Sequence, residues 1–169
     1  MAQKFVSFLF FLTMNAIDSG SAIVTIDKEA AKMECDADTP MVVPNFKANW
    51  FKATEYCHYL GRHLVIVTSP EKQQVISKVL EGTDKIGDSS FWIGGSDLAE
   101  LGNFHWHSTG TRIVWHNWSE LLVVPSADDV RKDDRCVLLR DGMEQGGFKW
   151  TVVNCWDEYY FVCEKGVYA

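Results

Sequence analysis

The sequence lacks the short motifs by which many enzymes and nucleic-acid-binding proteins are recognised. It contains no GxSxG, no HExxH and no glycine-rich loop of the kind that cradles phosphate. The net charge is −7 and the basic residues are scattered, so the electrostatic footprint of a nucleic-acid-binding protein is missing. The same charge makes anionic membranes and heparin-like polymers poor partners. These absences favour a protein that binds a ligand without catalysing a reaction.

Long apolar runs are also missing, apart from a short one near the N-terminus. Residues 5–14 (FVSFLFFLTM) follow Lys4 and precede the small residues 20–22 (GSA). This order is typical of a secretory signal peptide, and the run is shorter than the roughly 20 apolar residues that a membrane span needs. A buried N-terminal helix is the alternative interpretation. We expect residues 1–22 to be a signal peptide and the mature protein to be secreted and extracellular.

Cysteine is scarce, and its spacing excludes a zinc cluster of the usual kind. No two cysteines have CxxC spacing. In a secreted chain the five cysteines are expected to form disulfides, and an odd number leaves one for another chain or unpaired. The five are Cys35, Cys57, Cys136, Cys155 and Cys163.

What is present indicates one globular domain. Removing residues 1–22 from 169 leaves 169 − 22 = 147 residues, enough for a single hydrophobic core. The content of hydrophobic residues is 47% and there are seven tryptophans, so the chain is not disordered. We expect a polar arm over residues 23–40, a domain over residues 41–165, and a short tail over residues 166–169.

Two helices are predicted in the first half of the domain. Asn49 is a suitable N-cap for a helix that runs to Leu60, and Gly61 is placed to end it. Its apolar face repeats at three- and four-residue steps, at Trp50, Ala53, Cys57 and Leu60. Ser69 and Pro70 open a second helix that ends near Gly82. Its predicted inner face is formed by Val75, Ile76 and Val79.

The remainder of the domain is predicted to be β structure with one long loop. Short strands are expected at residues 64–67, 91–95, 104–107, 112–115, 136–139, 148–152 and 159–164. Gly94 and Gly95 are expected in a tight turn, and residues 108–110 in a hairpin connection. Residues 118–134 show no periodicity and indicate a long loop. Two helices followed by many short strands predict the α+β class.

Several motifs occur together in one order. They are NWFKATEYC ending at Cys57, HLVIVTSPE at 63–71, FWIGG at 91–95, VWHNW at 114–118, and the cysteines at 136, 155 and 163. Together they resemble the C-type lectin domain over residues 41–165. The resemblance implies two helices packed on small antiparallel sheets, with a long loop region and two disulfides. It also implies a recognition protein whose default partner is a glycan or a glycoprotein.

The resemblance implies a pairing for four of the cysteines. The implied bonds are Cys57–Cys163 and Cys136–Cys155, which leaves Cys35 in the polar arm. An exposed thiol in an oxidising compartment tends to pair, so we expect Cys35 to form an interchain disulfide in a homodimer or heterodimer. A small-molecule thiol cap is the alternative.

The tryptophans are interpreted as packing residues. By resemblance Trp92 belongs to the core. A core role is also the expectation for five others, because aromatic residues dominate core energetics; these are Trp50, Trp106, Trp115, Trp118 and Trp150. The role of Trp156, beside a predicted disulfide, is left open.

The sugar site implied by the resemblance is largely degraded in this chain. Sugar-binding members hold calcium in the long loop through an E-P-N or Q-P-D triplet, and calcium takes 6–8 oxygen ligands. Here the loop's only proline, Pro125, lies between Val124, which has no side-chain oxygen, and Ser126, which offers a hydroxyl. If Pro125 matches the family proline, the resemblance implies a cis peptide bond before it. These three loop residues remain candidate ligand contacts.

Other positions of the same site also depart from the family pattern. The family has an N-D pair after a tryptophan of the last long strand, where this chain has Thr151 and Val152 after Trp150. Asp134 matches the acidic residue before the third cysteine of the pattern and is the candidate metal ligand. Calcium is therefore the one cofactor that the resemblance leaves open.

Further acidic residues lie in or beside the loop and offer another way to hold a cation. A rearranged loop is one interpretation, and a solvated acidic loop on an acidic protein is the other. The residues concerned are Glu120, Asp128, Asp129, Asp133 and Asp134. Of these, Asp128 and Asp129 are also candidate ligand contacts.

A second ion is held in some family members between the second helix and the last strand. Glu71 and Glu164 are the candidate ligands in this chain. The alternative is that the neighbouring Lys72 occupies the ligand position and that this region holds a salt bridge, which is the simpler interpretation.

Two further motifs remain. His105 and His107 lie two residues apart on a predicted strand, so both side chains point to the same face. With His116 nearby they suggest a metal site, although the plain alternation of a half-buried strand also explains them. Residues 117–119 (NWS) form a glycosylation sequon, so Asn117 is a candidate glycan acceptor.

The sequence supports two hypotheses for function. The first is a secreted glycan-recognition protein in extracellular or immune-type recognition, with a degraded calcium site. The second is a calcium-independent, protein-binding lectin-like domain that acts as a disulfide-linked oligomer. Neither hypothesis includes catalysis.

Overall fold

The computed structural model describes residues 39–84, 90–119, 134–141 and 147–166. Its helices are α1 (Trp50–Tyr59) and α2 (Pro70–Glu81). Its strands are β1 (Met41–Val42), β2 (Arg62–Leu64), β3 (Ser90–Ser96), β4 (His105–Trp106), β5 (Asp134–Asp141), β6 (Phe148–Asn154), β7 (Tyr160–Phe161) and β8 (Cys163–Lys165). This content confirms the predicted α+β class.

The strands form two sheets that are antiparallel except for one pairing. The smaller sheet has the order β1-β8-β2, and the larger has the order β4-β3-β5-β6. Strand β7 joins the larger sheet by pairing in parallel with β3. The β5–β6 pair runs from Asp134 opposite Asn154 to Asp141 opposite Phe148. The larger sheet therefore carries the ends of the long loop at β6 and a separate surface at its β3–β4 edge.

Helix α1 forms as its sequence predicts. The Asn49 side chain accepts a hydrogen bond from the backbone N–H of Lys52 at 2.9 Å, which satisfies one of the donors left open at a helix start. Trp50, Ala53 and Cys57 are buried on the inner face. Gly61 follows with φ of +69°, a conformation that glycine adopts without steric cost.

Helix α2 has the predicted ends but a different inner face. Ser69 caps it and Pro70 occupies its first turn. The inward residues are Gln73, Ile76 and Leu80, whereas Val75 is 53% and Val79 is 37% exposed. The predicted face of Val75, Ile76 and Val79 is therefore wrong at two of three positions. The helix is rotated so that the polar Gln73 faces the core.

Contacts made by Gln73 explain this rotation. Its Nε2 donates to the carbonyl oxygen of Phe148 at 2.7 Å, and its Oε1 accepts from the indole N–H of Trp150 at 2.8 Å. A buried amide is tolerated when its hydrogen bonds are made, and here both partners lie on β6. Gln73 thus joins α2 to the larger sheet.

The prediction of a tight turn at Gly94 and Gly95 is wrong. Both residues lie within β3 and are buried. A Cβ atom on Gly94 would lie 3.0 Å from the carbonyl oxygen of Leu64, and one on Gly95 would lie 2.9 Å from Cγ2 of Val137. Glycine is needed here because neighbouring segments approach the strand closely.

Strand boundaries also differ from the predictions. The strand expected at 64–67 is displaced to β2, although Val65 and Val67 are buried beyond its end. The strand expected at 112–115 is reduced to an isolated bridge between Arg112 and His105. The predicted strand at 159–164 is divided into β7 and β8. The connection at 108–110 does reverse the chain, since Trp106 N donates to Thr111 O at 2.9 Å.

Two disulfides hold the fold, with the implied pairing. Cys57–Cys163 joins α1 to β8 across a sequence separation of 106, and Cys136–Cys155 joins β5 to the segment after β6 across a separation of 19. All four cysteines are buried. The smaller sheet and the first helix are therefore fixed to each other covalently.

The packing role of the tryptophans is confirmed in the described part of the chain. Trp92 is fully buried and its indole N–H donates to Ala48 O at 2.9 Å. Trp150 lies at the centre of a cluster in which three tryptophan rings approach it edge to face; these are Trp106, Trp115 and Trp118. Trp50 is also buried, whereas Trp156 is 69% exposed.

Several predictions concern segments outside the described residues. These segments are the signal peptide at 1–22, nearly all of the arm at 23–40 including Cys35, and most of the tail at 166–169. Among the residues that the structure does describe, no helix is long and apolar enough to cross a membrane.

Candidate functional site

The long loop begins and ends against strand β6. Ser119 N donates to Trp150 O at 2.9 Å, and Trp150 N donates to Asn117 O at 2.9 Å. At the other end, Asp134 pairs with Asn154. Asn154 lies four residue steps beyond Trp150 along the strand, which corresponds to about 13 Å. The two ends of the loop are thus set close together on one strand.

The candidate contacts within the loop lie outside the described residues. They are Val124, Pro125, Ser126, Asp128 and Asp129, together with the peptide bond before Pro125. Asp134 is the first residue of β5, and its backbone position is given by its pairing. The proposed roles of these six residues remain predictions.

The strand beneath the loop carries the clearest evidence about the calcium site. Thr151 pairs with Leu138 and is half-buried, and Val152 pairs with Val137. The Val152 side chain is buried in the main hydrophobic cluster, together with Trp150. These are the two positions where the resemblance places an amide and a carboxylate. Here they offer one hydroxyl and an apolar side chain that contributes to the core.

The predicted structural-ion site contains an ion pair. The Glu164 carboxylate is buried at 8% exposure and accepts from Lys72 Nζ at 2.8 Å through Oε2. Its Oε1 accepts from the backbone N–H of Ile66 at 2.7 Å and lies 3.8 Å from His63 Nδ1. The Lys72 ammonium supplies the positive charge expected of an ion, so the salt-bridge interpretation fits this geometry.

Glu71 lies on the exposed surface at the start of α2. A hydrogen bond from the Ser69 side chain, followed by one from its own backbone N–H, lowers the pKa of the Glu71 carboxyl. An acidic residue in the first turn of a helix is favoured by the helix dipole. Glu71 is therefore accounted for by helix capping, and a metal-binding role for it stays a prediction.

The sequon residue Asn117 is built into the fold through its side chain. Its Nδ2 donates to Phe148 O at 3.1 Å, and its Oδ1 accepts from Lys149 Nζ at 3.0 Å. The residue lines a cleft of about 490 Å³ between α2 and the start of β6. Glycosylation of Asn117 stays a prediction, and an attached glycan would have to leave through this cleft.

A larger cleft, of about 890 Å³, lies between α1 and the β3–β4 edge of the larger sheet. We call it the α1 cleft. Trp50, Phe51 and Trp106 form its aromatic wall, and Leu98 lies on its rim. Its volume is within the range of small-molecule sites, about 300–1,000 Å³. Sequence reasoning missed this cleft because its walls come from two segments about 45 residues apart.

The polar residues of the α1 cleft are imidazoles and carboxylates. His58 on α1 and His107 beyond β4 lie near each other, and neither imidazole forms a hydrogen bond within the described part of the chain. Withdrawal from water, and second the charge of His58, lower the pKa of His107. His107 therefore tends to be neutral near pH 7, and a neutral imidazole both donates and accepts.

An exposed aromatic pair continues the wall of the cleft outward. Phe51 lines the cleft, and its ring centroid lies 4.8 Å from that of Trp156. Trp156 follows the disulfide residue Cys155, and its backbone N–H donates to Asn154 Oδ1 at 2.9 Å. The indole is thus held on the surface beside the cleft by a fixed turn.

A buried ion pair fixes the opposite rim of the cleft. Asp97 is fully buried, and Arg135 reaches it with Nε at 3.2 Å from Oδ1. Asp97 Oδ2 also accepts from the backbone N–H of Gly102 at 2.8 Å. These bonds hold the turn that carries Leu98 and Glu100.

The predicted histidine metal site is not assembled in the described residues. No group of three or more His, Cys, Asp or Glu there could hold a metal ion. His116 stacks on Trp118 with ring centroids 5.7 Å apart, whereas His105 and His107 line the α1 cleft. Strand alternation accounts for the two cleft histidines, because Phe104 and Trp106, at the alternate positions, are buried.

Comparisons with known proteins agree with this architecture. The family profile described as "Lectin C-type domain" matches residues 46–165. The chain is 83% identical over 150 residues to the C-type lectin mosGCTL-7 of Culex quinquefasciatus, which covers 88% of this chain and 87% of that protein. It is 35% identical over 147 residues to Salivary C-type lectin 1 of Aedes albopictus, covering 85% and 94%.

A solved structure has the same fold. The carbohydrate-recognition domain of the human scavenger receptor C-type lectin superposes with a TM-score of 0.60 at 26% identity. The match covers 74% of this chain and 88% of that domain.

Proposed function

The chain belongs to the C-type lectin family, and on that basis we propose that it is a secreted recognition protein that binds glycans without catalysis. Carbohydrate binding is supported by the solved relative, which is a carbohydrate-recognition domain. Secretion is supported by the signal-peptide pattern at residues 1–22 and by relatives named as salivary lectins. The setting that fits these features is extracellular recognition, including innate immunity.

We further propose that glycan binding does not depend on a calcium ion that bridges protein and sugar. The observation that carries this proposal is the burial of Val152 in the core at a position where a calcium ligand is expected. Thr151 contributes at most one hydroxyl, and calcium takes 6–8 oxygen ligands. A site that has lost both strand ligands would bind calcium weakly.

A glycan array tests the proposal. The purified mature protein is applied in calcium and again in EDTA, with equal protein concentrations. We expect the same glycans to be retained in both buffers. Retention that is abolished by EDTA would show that the acidic loop holds a working ion, and would contradict the calcium-independent part.

A second candidate function is protein binding by the lectin-like domain. It is favoured by the exposure of large apolar side chains: Val114 is 86% exposed and Trp156 is 69% exposed. Absence of glycan retention in either array buffer would favour this candidate.

We propose that Cys35 links two chains, because the other four cysteines are paired within the domain. Two joined sites gain avidity of about 10²–10⁴ when both can engage one surface. A Cys35→Ser variant should run as a monomer on a non-reducing gel, where the wild type runs as a dimer. A dimer band that persists in the variant would refute the link.

A further inference from the structure

We infer that the α1 cleft is a glycan-binding site that takes one uncharged pyranose residue without calcium, an inference that rests on the proposed function. The cleft lies beside α1 and the β3–β4 edge, whereas both ends of the long loop lie against β6. It combines an aromatic wall with a few converging polar groups, the composition usual for small-molecule sites.

The aromatic wall suits a sugar ring. A pyranose has an apolar face of C–H groups and a rim of hydroxyls, so it is bound by an aromatic ring on one side and hydrogen-bonding groups around it. Phe51 lines the cleft, and Trp156, which is 69% exposed, lies beside the cleft with its ring centroid 4.8 Å from that of Phe51, so that it extends the aromatic surface outward. The fold does not need a large apolar side chain at this exposed position, so Trp156 is available to a ligand.

The polar groups suit hydroxyls. His58 and His107 approach each other across the cleft, and Glu55 and Glu100 lie along its lining. Carboxylates accept hydrogen bonds from hydroxyls, and a neutral imidazole donates and accepts. Glu55 Oε2 lies 3.5 Å from Lys52 Nζ, so the other carboxylate oxygen is not used in that ion pair.

The charge of the lining selects against anionic glycans. The lining contains two carboxylates and three histidines, and it contains no lysine or arginine. Sialylated or sulfated sugars would meet like charge there, which lowers affinity for them relative to neutral sugars. Two carboxylates also fall well short of the 6–8 oxygens that calcium takes.

Saturation-transfer NMR with methyl pyranosides tests the assignment in EDTA. The probes are the methyl glycosides of glucose, galactose, mannose and N-acetylglucosamine, with methyl sialoside as the anionic comparison. The variants are Trp156→Ala, His107→Ala and Glu55→Gln. Tyr59→Ala and Glu81→Gln are matched controls, because they remove an exposed aromatic ring and a helix carboxylate outside the cleft.

We expect at least one neutral pyranoside to bind and the sialoside not to bind. Trp156→Ala should weaken binding roughly 3- to 10-fold, as loss of an aromatic contact does. Loss of a hydrogen bond in His107→Ala or Glu55→Gln should weaken it about tenfold. Both controls should bind as the wild type does.

Two outcomes would overturn the assignment, and they are distinguishable from each other. If glycans bind in EDTA but the Trp156, His107 and Glu55 variants bind as well as the controls, the proposed function stands and the cleft is the wrong site. If no glycan binds under any condition, including the array, the proposed function fails and the assignment fails with it.

Discussion

At the scale of single residues, Val152 and Lys72 both lie where the family resemblance predicts ion ligands. Val152 packs with Trp150 in the hydrophobic cluster, and Lys72 neutralises Glu164. An apolar side chain and an ammonium group are both stable without any metal. At both positions the fold is held by the protein's own side chains.

Replacing Lys72 by Met should destabilise the protein by about 1–3 kcal/mol, because the buried Glu164 carboxylate loses its charged partner. The expected loss of stability is smaller than for a fully buried ion pair, because the Lys72 side chain is 27% exposed. The matched control is Lys78→Met on the exposed side of the same helix. Urea unfolding monitored by tryptophan fluorescence measures both. Equal midpoints for the two variants would show that the ion pair contributes nothing.

His107 should make the protein less stable in mild acid. The folded state lowers the pKa of His107 from its ordinary value of 6.5, so the unfolded chain takes up the proton first as the pH falls. Stability is unaffected above the unfolded pKa, falls as the pH drops below it, and stops falling once the folded pKa is passed.

A His107→Gln variant should therefore lose less stability than the wild type between about pH 7.5 and about pH 5. His58→Gln should reduce the loss by a smaller amount, because burial is the larger cause of the pKa shift. Denaturant midpoints at the two pH values measure the effect. If the His107→Gln variant loses as much stability as the wild type over this pH range, the titration of His107 is not the cause of the loss.

At the scale of elements, the ends of both helices and the inner face of α1 were predictable, whereas the inner face of α2 was not. The caps Asn49 and Ser69 act on donors three residues away, so the local sequence contains the whole signal. The rotation of α2 depends on Gln73, whose partners lie 75 and 77 residues further along the chain. No local pattern reveals that a glutamine will find two partners in the core.

The same reasoning applies to the candidate sites. The family motifs located positions 151 and 152, where the resemblance predicts calcium ligands, because they lie next to a recognisable tryptophan. The α1 cleft brings His58 toward His107, and the fold rather than the spacing creates this approach. The need for glycine at positions 94 and 95 could not be predicted from the local sequence either. The residues that approach them, Leu64 and Val137, belong to other strands.

Gln73→Leu should destabilise the protein by about 1–3 kcal/mol. The leucine fills a similar volume but leaves the buried Trp150 indole N–H without its partner, which costs about 1–3 kcal/mol, whereas the Phe148 carbonyl oxygen still accepts from Asn117 Nδ2. Gln74→Leu, on the exposed face of the same helix, is the control. Thermal and urea unfolding measure both. A Gln73→Leu protein as stable as the control would mean that the bridge to β6 is dispensable.

At the scale of the whole molecule, the two disulfides differ in how much chain they close. The sequence separation is 106 for Cys57–Cys163 and 19 for Cys136–Cys155. The entropy of loop closure therefore predicts that the first bond stabilises the fold by about 1.5 kcal/mol more than the second.

Paired alanine variants test this difference. The Cys57→Ala/Cys163→Ala protein should unfold at lower urea concentration than the Cys136→Ala/Cys155→Ala protein, and both should unfold below the wild type. The reverse order would show that packing around the shorter loop outweighs chain entropy.

The central claim is that this lectin domain recognises glycans without a calcium-bridged sugar site. The most direct measurement is the dissociation constant for the glycan best retained on the array, determined by titration calorimetry in saturating calcium and in EDTA. We expect the same constant in both buffers, because the buried Val152 side chain and the single hydroxyl of Thr151 do not supply the ligands of a bridging calcium ion. Binding that is strong in calcium and lost in EDTA would contradict it.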